Sequence, residues 1–371
     1  MPSEKTFEIF LATAPGLEAT LADEVRLKGF KKPKTVAGGV TFPGAWPDVW
    51  RANLWLRGAE RVLARIASFH VQHLAELDAR ARRVPWTQFL RVDQPFRVEA
   101  VCKKSKIYHS GAAAERLVNA VQATLGAPFS PEASILIKAR FEHDVCTLSL
   151  DTSGERLHKR GYKEAVSQAP LRETMAALLL RQCGYDGNEP LLDPMCGSGT
   201  FVIEAAEIAA HLNPGRARSF AFEKLATFDA EAWQRMRTVK SQRVPAFPAF
   251  GSDRDSDAIA KSRANADRAG VDSFTAFEVC PAQAARPPVD HPGLVIVNPP
   301  YGVRLGDKKK LLALYRAFGQ TMRDSFTGWR IGLITPDPAL ARTTALPFLP
   351  TGAPIQHGGL RVTLYRTAPL K

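Results

Sequence analysis

Asn298-Pro299-Pro300-Tyr301 follows an apolar run, Leu294 to Val297. These residue types meet the demands of an aromatic amine. The lone pair of such an amine is delocalised into its ring, so it is a poor nucleophile. The Asn298 side-chain carbonyl and the Pro299 backbone carbonyl can accept its two N–H bonds, which orients the amine and favours its more pyramidal, reactive form. Proline fixes φ and brings no competing N–H, so Pro299 and Pro300 stiffen the loop. Tyr301 can stack on a base. The plain structural alternative is a Pro-rich turn after a strand.

A second constellation lies upstream, Asp193-Pro194-Met195-Cys196-Gly197-Ser198-Gly199-Thr200. Gly197 and Gly199 let the backbone turn sharply and approach a ligand closely. No third glycine follows at dinucleotide spacing, because Phe201 and Val202 come after Thr200. The acid placed to hold a ribose, Asp253, stands 54 residues beyond Gly199, whereas dinucleotide folds place it about 20 residues on. Asp193, at a strand tip, suits a cationic ligand, and S-adenosylmethionine, with its sulfonium and amino group, is one. Asp253 and Arg254 sit in Gly251-Ser252-Asp253-Arg254-Asp255. A carboxylate at a strand end can accept both ribose hydroxyls. An acid there can also serve a helix N-terminus, a role that Asp255 or Asp257 can take instead.

A sulfonium is a good leaving group, so this chemistry requires neither a metal nor a covalent nucleophile. The five cysteines include no C-x-x-C pair and no accompanying His cluster, which argues against zinc and against a disulfide framework. Cys196 lies in the glycine loop, Cys280 before Pro281 lacks a recognisable activating base, and both read as small packed residues.

The surrounding elements must hold these loops. Leu191 to Asp193 reads as a buried strand, Thr200–Leu212 as a helix, 258–269 as a helix, 274–279 and 294–297 as strands, 311–322 as a helix and 331–334 as a strand. A helix opens at Pro170. This alternation predicts an α/β, doubly wound, Rossmann-like domain over 170–371. Residues 213–248 read as an insertion with a helix near 230–240. Residues 1–66 predict a small α+β unit: a strand over 6–11, a helix from Leu17 to near Gly29, a strand over 40–42, and a helix from Pro47 to Ile66 with Trp50, Leu54 and Val62 in its core. Residues 67–151 predict a second α+β unit, with strands over 96–102, 135–137 and 145–150 and a helix over 115–125. Residues 152–169 are polar and basic and read as a linker.

The formal net charge is +13 with a pI near 9.7. The excess is spread: 25 Lys/Arg against 18 Asp/Glu in residues 1–170, and 25 against 19 thereafter. A chain this basic often meets a polyanion. Lys103, Lys104 and Lys106, and the run His158-Lys159-Arg160, are candidate phosphate contacts. The longest apolar run, Met175 to Leu180, is too short to span a bilayer. A cytoplasmic location with no membrane partner is expected.

Asp193–Ala206 together with Asn298–Leu305 (NPPYGVRL) resembles the THUMP-containing RNA guanine-N2 methyltransferases, most closely the large-subunit (23S) ribosomal RNA family. The likeness runs through nearly the whole chain. It includes Gly16-Leu17-Glu18, Gly38-Gly39-Val40-x-Phe42, Trp86-Thr87 and Tyr108-His109-Ser110-Gly111. It continues through Leu150-Asp151-x-Ser153-Gly154, Leu157-His158-x-Arg160-Gly161-Tyr162 and Ala169-Pro170-Leu171-Arg172-Glu173-Thr174. The resemblance implies a ferredoxin-like unit, a THUMP RNA-binding domain and a class I methyltransferase domain. It implies Asp193, Gly197 and Gly199 at the methionine moiety of S-adenosylmethionine, Thr174 near its carboxylate and Asp253 at its ribose. It implies ribosomal RNA as partner, with transfer RNA the alternative. Bacterial versions can be fused to a second methyltransferase that makes 7-methylguanosine, and this sequence holds one catalytic domain.

Two positions depart from the family. Pro281 stands where an acid usually meets the adenine amine, so Gln283 or a backbone carbonyl must serve. His357-Gly358 replaces the usual Asn-Gly. Two rival readings follow from other classes: a DNA adenine-N6 methyltransferase, whose catalytic loop would look alike, and a non-catalytic RNA-binding assembly factor.

Overall fold

The computed structural model describes residues 6–163, 171–238, 242–301 and 308–371. The chain divides into two compact units. One comprises Met1–Thr13, Leu21–Leu157 and Arg218–Lys240, and the other Ala14–Thr20, His158–Ala217 and Ser241–Lys371.

In the first unit the strands are β1 (Phe7–Ala12), β2 (Lys34–Val36), β3 (Gly39–Gly44), β4 (Arg61–His70), β5 (Phe96–Lys103), β6 (Ile135–Glu142) and β7 (Val145–Asp151). They form one sheet in the order β2-β3-β1-β4-β7-β6-β5, in which only β5 and β6 pair in parallel among the described residues. The helices α1 (Glu18–Leu27), α2 (Trp46–Trp55), α3 (Leu74–Arg82) and α4 (Ser110–Leu125) connect them.

The helix expected from Pro47 to Ile66 stops at Trp55, and residues 61–66 open β4 instead. Gly58 breaks the helical pattern, and Val62 and Ala64 are then buried at a spacing of two, the period of a strand. Val62 is a core residue as expected, but on a strand. β4 also runs across the 66/67 division, so one sheet carries residues from both sides of it. The motif at Tyr108–Gly111 starts α4: His109 Nδ1 accepts the Ala112 N–H at 3.0 Å, leaving Tyr108 84% exposed. Residues 218–238, part of the expected insertion, belong to this unit. They carry α7 (Ala230–Thr238), where Trp233 meets Phe222 edge-on at 5.0 Å and Phe222 stacks on Trp50 of α2 at 6.2 Å.

The second unit holds α5 (Glu173–Gln182), β8 (Leu191–Asp193), α6 (Thr200–Ala209), β9 (Ala249–Asp253), α8 (Ser256–Ala269), β10 (Thr275–Val279), β11 (Leu294–Val297), α9 (Lys308–Ser325), β12 (Arg330–Thr335), α10 (Pro338–Thr343), β13 (Ile355–His357) and β14 (Leu360–Arg366). Pro170, expected to open α5, and residues 164–169 of the expected linker lie outside the described residues. The sheet order is β10-β9-β8-β11-β12-β14-β13. Strands β10 to β12 are parallel, and β14 is antiparallel to both of its neighbours. β11 is buried along its whole length, as expected of a parallel strand covered on both faces.

The order runs outward from β8 to β10 and then restarts at β11 beside β8. The C-terminal ends of β8 and β11 therefore flank the switch point, where open α/β sheets bind ligands. Among the described residues no helix is long and apolar enough to cross a membrane.

Candidate active site

Both sequence constellations arrive at this switch point. β8 ends in Asp193, and Asn298 follows the last residue of β11. The two strands are hydrogen-bonded neighbours, with Leu191 opposite Leu294 and Leu192 opposite Val295.

Asp193 is 3% exposed and accepts the Met195 N–H at 3.1 Å. Burial pushes its carboxyl up to about 8, against the lowering effect of that N–H, and the nearby Asp253 adds to the rise. Among the described residues no cation pairs with it. Gly197 and Gly199 adopt left-handed φ of +53° and +82°, a region a side chain disfavours. A side chain on Gly199 would also press on Ser262, whereas one on Gly197 would meet open space. Gly199 starts α6 without any side-chain cap, which leaves that helix's first N–H groups open to a ligand.

The loop is braced from behind. The Gly197 N–H donates to Asp253 Oδ2 at 3.0 Å, Ser262 Oγ donates to the Gly197 carbonyl at 2.7 Å, and Asn265 Nδ2 donates to the Ser198 carbonyl at 3.1 Å. The Cys196 N–H donates to the Ser252 carbonyl at 3.0 Å. Cys196 itself is buried, and burial holds its thiol well above the ordinary range. It is a packed residue, not a nucleophile. Pro194 precedes this turn.

Asp253 closes β9 at the strand end where the sequence places it, and Arg254 beside it is exposed. Its Oδ1 also accepts the Asp255 N–H at 3.0 Å. Capping of α8 falls to Asp255, which accepts the Asp257 N–H, so Asp253 is not the cap. Pro281 starts a 3₁₀ turn over Ala282–Ala284, and the Gln283 carbonyl already accepts Thr321 Oγ1 at 3.0 Å. A cavity of about 620 Å³ opens beside this turn, lined by Phe250, Ser252, Glu278, Cys280 and Arg286 among others. Its size is that of a small-molecule site (~300–1,000 Å³). Ser252 Oγ is buried there without a partner among the described residues.

In the second loop Asn298 Oδ1 is buried and, among the described residues, has no hydrogen-bond donor. Pro299 is buried and Pro300 exposed, with Tyr315 OH 3.5 Å from the Pro300 carbonyl. Tyr301 is half-buried against the cluster of Tyr315, Phe318 and Leu333. Burial raises its phenol, and the Asn298 side chain opposes that rise. Gly302 to Leu305 of the motif lie outside the described residues. Thr174, the second residue of α5, is 1% exposed and its Oγ1 has no partner among the described residues.

The candidate phosphate contacts separate. Lys104 is exposed at the tip after β5 with φ of +48°, Lys103 lies 3.5 Å from Glu142, and Lys106 Nζ donates to Gln72 at 2.8 Å. Lys159 is exposed and His158 half-buried. Arg160 is a correction. It is 3% exposed and its Nε donates to Glu204 of α6 at 3.0 Å, so it braces the interior and offers nothing to phosphate. Its neighbours in sequence are polar, which hides a burial that depends on a carboxylate far along the chain. Asn265 and Ser262 also escape a motif-based reading. The available signal was two polar residues on the buried stripe of α8, beside Ile259, Ala266 and Ala269.

A sheet of this order, with unmet polar groups at its switch point, defines the Rossmann-like α/β class. The chain belongs to the RMKL-like methyltransferase domain family, whose profile matches residues 160–346, and an RlmL ferredoxin-like domain matches residues 8–63. It is 36% identical over 348 residues to the ribosomal RNA large subunit methyltransferase K/L of Psychromonas ingrahamii, a match covering 89% of this chain and 46% of that protein. The chain spans about half the length of the curated relatives it matches. A crystal structure of a methylase candidate from Clostridium difficile 630 superposes with a TM-score of 0.90 at 31% identity, covering 99% of each chain. That of SMU.472, a methyltransferase candidate complexed with SAH, gives 0.87 at 27% identity, also covering 99% of each.

Proposed function

We propose that this chain transfers a methyl group from S-adenosylmethionine to the exocyclic N2 amine of a guanine in large-subunit ribosomal RNA. The observation that carries the reading is a pair of unmet groups at one switch point. Among the described residues Asp193 is a buried carboxyl without a cation, and Asn298 Oδ1 a buried acceptor without a donor. A cationic methyl donor and an aromatic amine would satisfy them.

When bound, S-adenosylmethionine supplies an electrophilic methyl group on a sulfonium. Asp193 would face its cationic end, the open N–H groups of α6 and the Thr174 hydroxyl its carboxylate, and Asp253 its ribose. Asn298 and the Pro299 carbonyl would accept the two N–H bonds of the target amine, and Tyr301 would stack on the base. The base must leave a helix or come from a loop to reach this position.

RNA binding is assigned to residues 67–151, read as a THUMP domain. Lys103, Lys104 and Lys106 would meet phosphates, and exposed Tyr108 a base. The linker at 152–169 and the location in the cytoplasm belong to the same reading. Ribosomal RNA is preferred because the curated relatives carry that activity in their names. Mass spectrometry of nucleosides from a deletion strain tests the proposal. Loss of N2-methylguanosine from 23S RNA is expected. Loss from transfer RNA alone, or of N6-methyladenine from DNA, would replace it.

A further inference from the structure

Arg160, Tyr162 and Lys163 come from a stretch whose polar composition predicts a solvated linker, yet their side chains are largely withdrawn from water. Arg160 pairs with Glu204, Tyr162 is 3% exposed, and the Tyr162 carbonyl accepts Arg268 Nε at 2.7 Å. The Lys163 side chain is 10% exposed and its ammonium reaches three groups. It donates to Thr200 Oγ1 at 2.8 Å and to the Leu171 carbonyl at 3.3 Å, and it lies 3.1 Å from Glu173 Oε1.

The places of these partners are specific. Thr200 is the first residue of α6, directly after Gly199, and Glu173 is the first residue of α5, directly before the partnerless Thr174. Neither helix has a side-chain cap. One ammonium thus ties together two helix starts that lack a side-chain cap. By donating to Thr200 Oγ1 it occupies a lone pair of that hydroxyl and leaves the hydroxyl proton to be donated elsewhere. Stability alone is a poor reason for this lysine, because apolar groups of similar volume often replace a buried ion pair without loss.

We infer that Lys163 is a positioning residue for the cofactor loop. It tethers Thr200 to the start of α5, and so holds the Gly197–Gly199 turn and the Thr174 hydroxyl at the spacing that the carboxylate end of S-adenosylmethionine requires. This rests on the function proposed above.

The test is calorimetry with S-adenosylhomocysteine, with Tm recorded for every variant. Lys163→Met should weaken binding by about 10–100-fold, the loss of one or two directed hydrogen bonds. KM for S-adenosylmethionine should rise in step, while kcat at saturation changes far less. Lys163→Arg should restore most of the affinity. Lys163→Met combined with Glu173→Gln removes the stranded buried carboxylate, so it should recover Tm while binding stays weak. Unchanged affinity in Lys163→Met, or affinity and Tm returning together in the double variant, would show a merely structural residue and overturn the inference. A wild-type chain that binds no S-adenosylhomocysteine would overturn the proposed function as well.

Discussion

The β5–β6 face of the first unit and the interior of the second use charge in opposite ways. In the first, ion pairs line an open sheet face: Lys138 and Arg97 meet Glu99, and Arg140 meets Glu142, with all of these side chains about a quarter to a half exposed. In the second, Arg160–Glu204 and Lys163–Glu173 are enclosed, and both carboxylates of these pairs are almost wholly out of water. An exposed pair contributes about 0–1 kcal/mol and can be exchanged for a phosphate at little cost. A buried pair cannot, because losing one partner strands a charge in a poor solvent. A basic surface for a polyanion and a rigid cradle for a small ligand are therefore built from the same residue types under different burial.

The sharpest way to break this contrast is to remove one partner on each side. Arg160→Ala should destabilise the chain by about 3–5 kcal/mol, whereas Lys138→Ala should cost at most about 1 kcal/mol. Urea unfolding of both variants decides it, and equal losses would erase the distinction.

Asp193 sharpens it in another direction, as a buried acid that no cation matches among the described residues. Its folded pKa near 8 lies above the ordinary 3.8. The stability it contributes is therefore full below the ordinary value and is lost as pH rises through about 8. Asp193→Asn should accordingly raise Tm at pH 8 by a few degrees. Ligand binding runs the other way, since a cationic ligand favours the carboxylate. Affinity for S-adenosylmethionine should rise by up to about tenfold per pH unit between about 6 and 8, and Asp193→Asn should flatten that slope. A pH-independent wild-type affinity would mean that Asp193 does not meet the cation.

The smallest effect belongs to the first unit. Reversing charge at Lys103 and Lys104 should lower the salt slope of RNA binding by about one unit per lost phosphate contact. Filter binding across a salt series measures it, and an unchanged slope would remove those lysines from the interface.

What the sequence disclosed follows the same division. Asp193–Thr200 and Asn298–Tyr301 were legible because each is a contiguous loop whose residue types state a demand, and the alternation of elements sufficed to bring two strand ends together. Arg160 and Lys163 were not legible, because Glu204 and Thr200, which hold them, stand 44 and 37 residues further along the chain. Pro47–Ile66 misled for a local reason: its first half is helical, and the switch to period two at Val62 sits just past Gly58. β2 and α3 went unread because β2 is short and fully exposed, and α3 offers only Leu77 and Ala81 as buried anchors.

The central claim is that Asn298 receives an aromatic amine rather than the cofactor. Single-turnover methyl transfer to unmodified 23S RNA, with saturating S-adenosylmethionine, tests it in wild type and in Asn298→Ala. The account predicts N2-methylguanosine as the wild-type product. It predicts a rate about 10²–10³ lower in the variant, as for loss of one oriented polar group at a reacting centre, with affinity for S-adenosylhomocysteine unchanged. A wild-type rate in Asn298→Ala, or a product methylated on a ring carbon or a ribose oxygen, would contradict it.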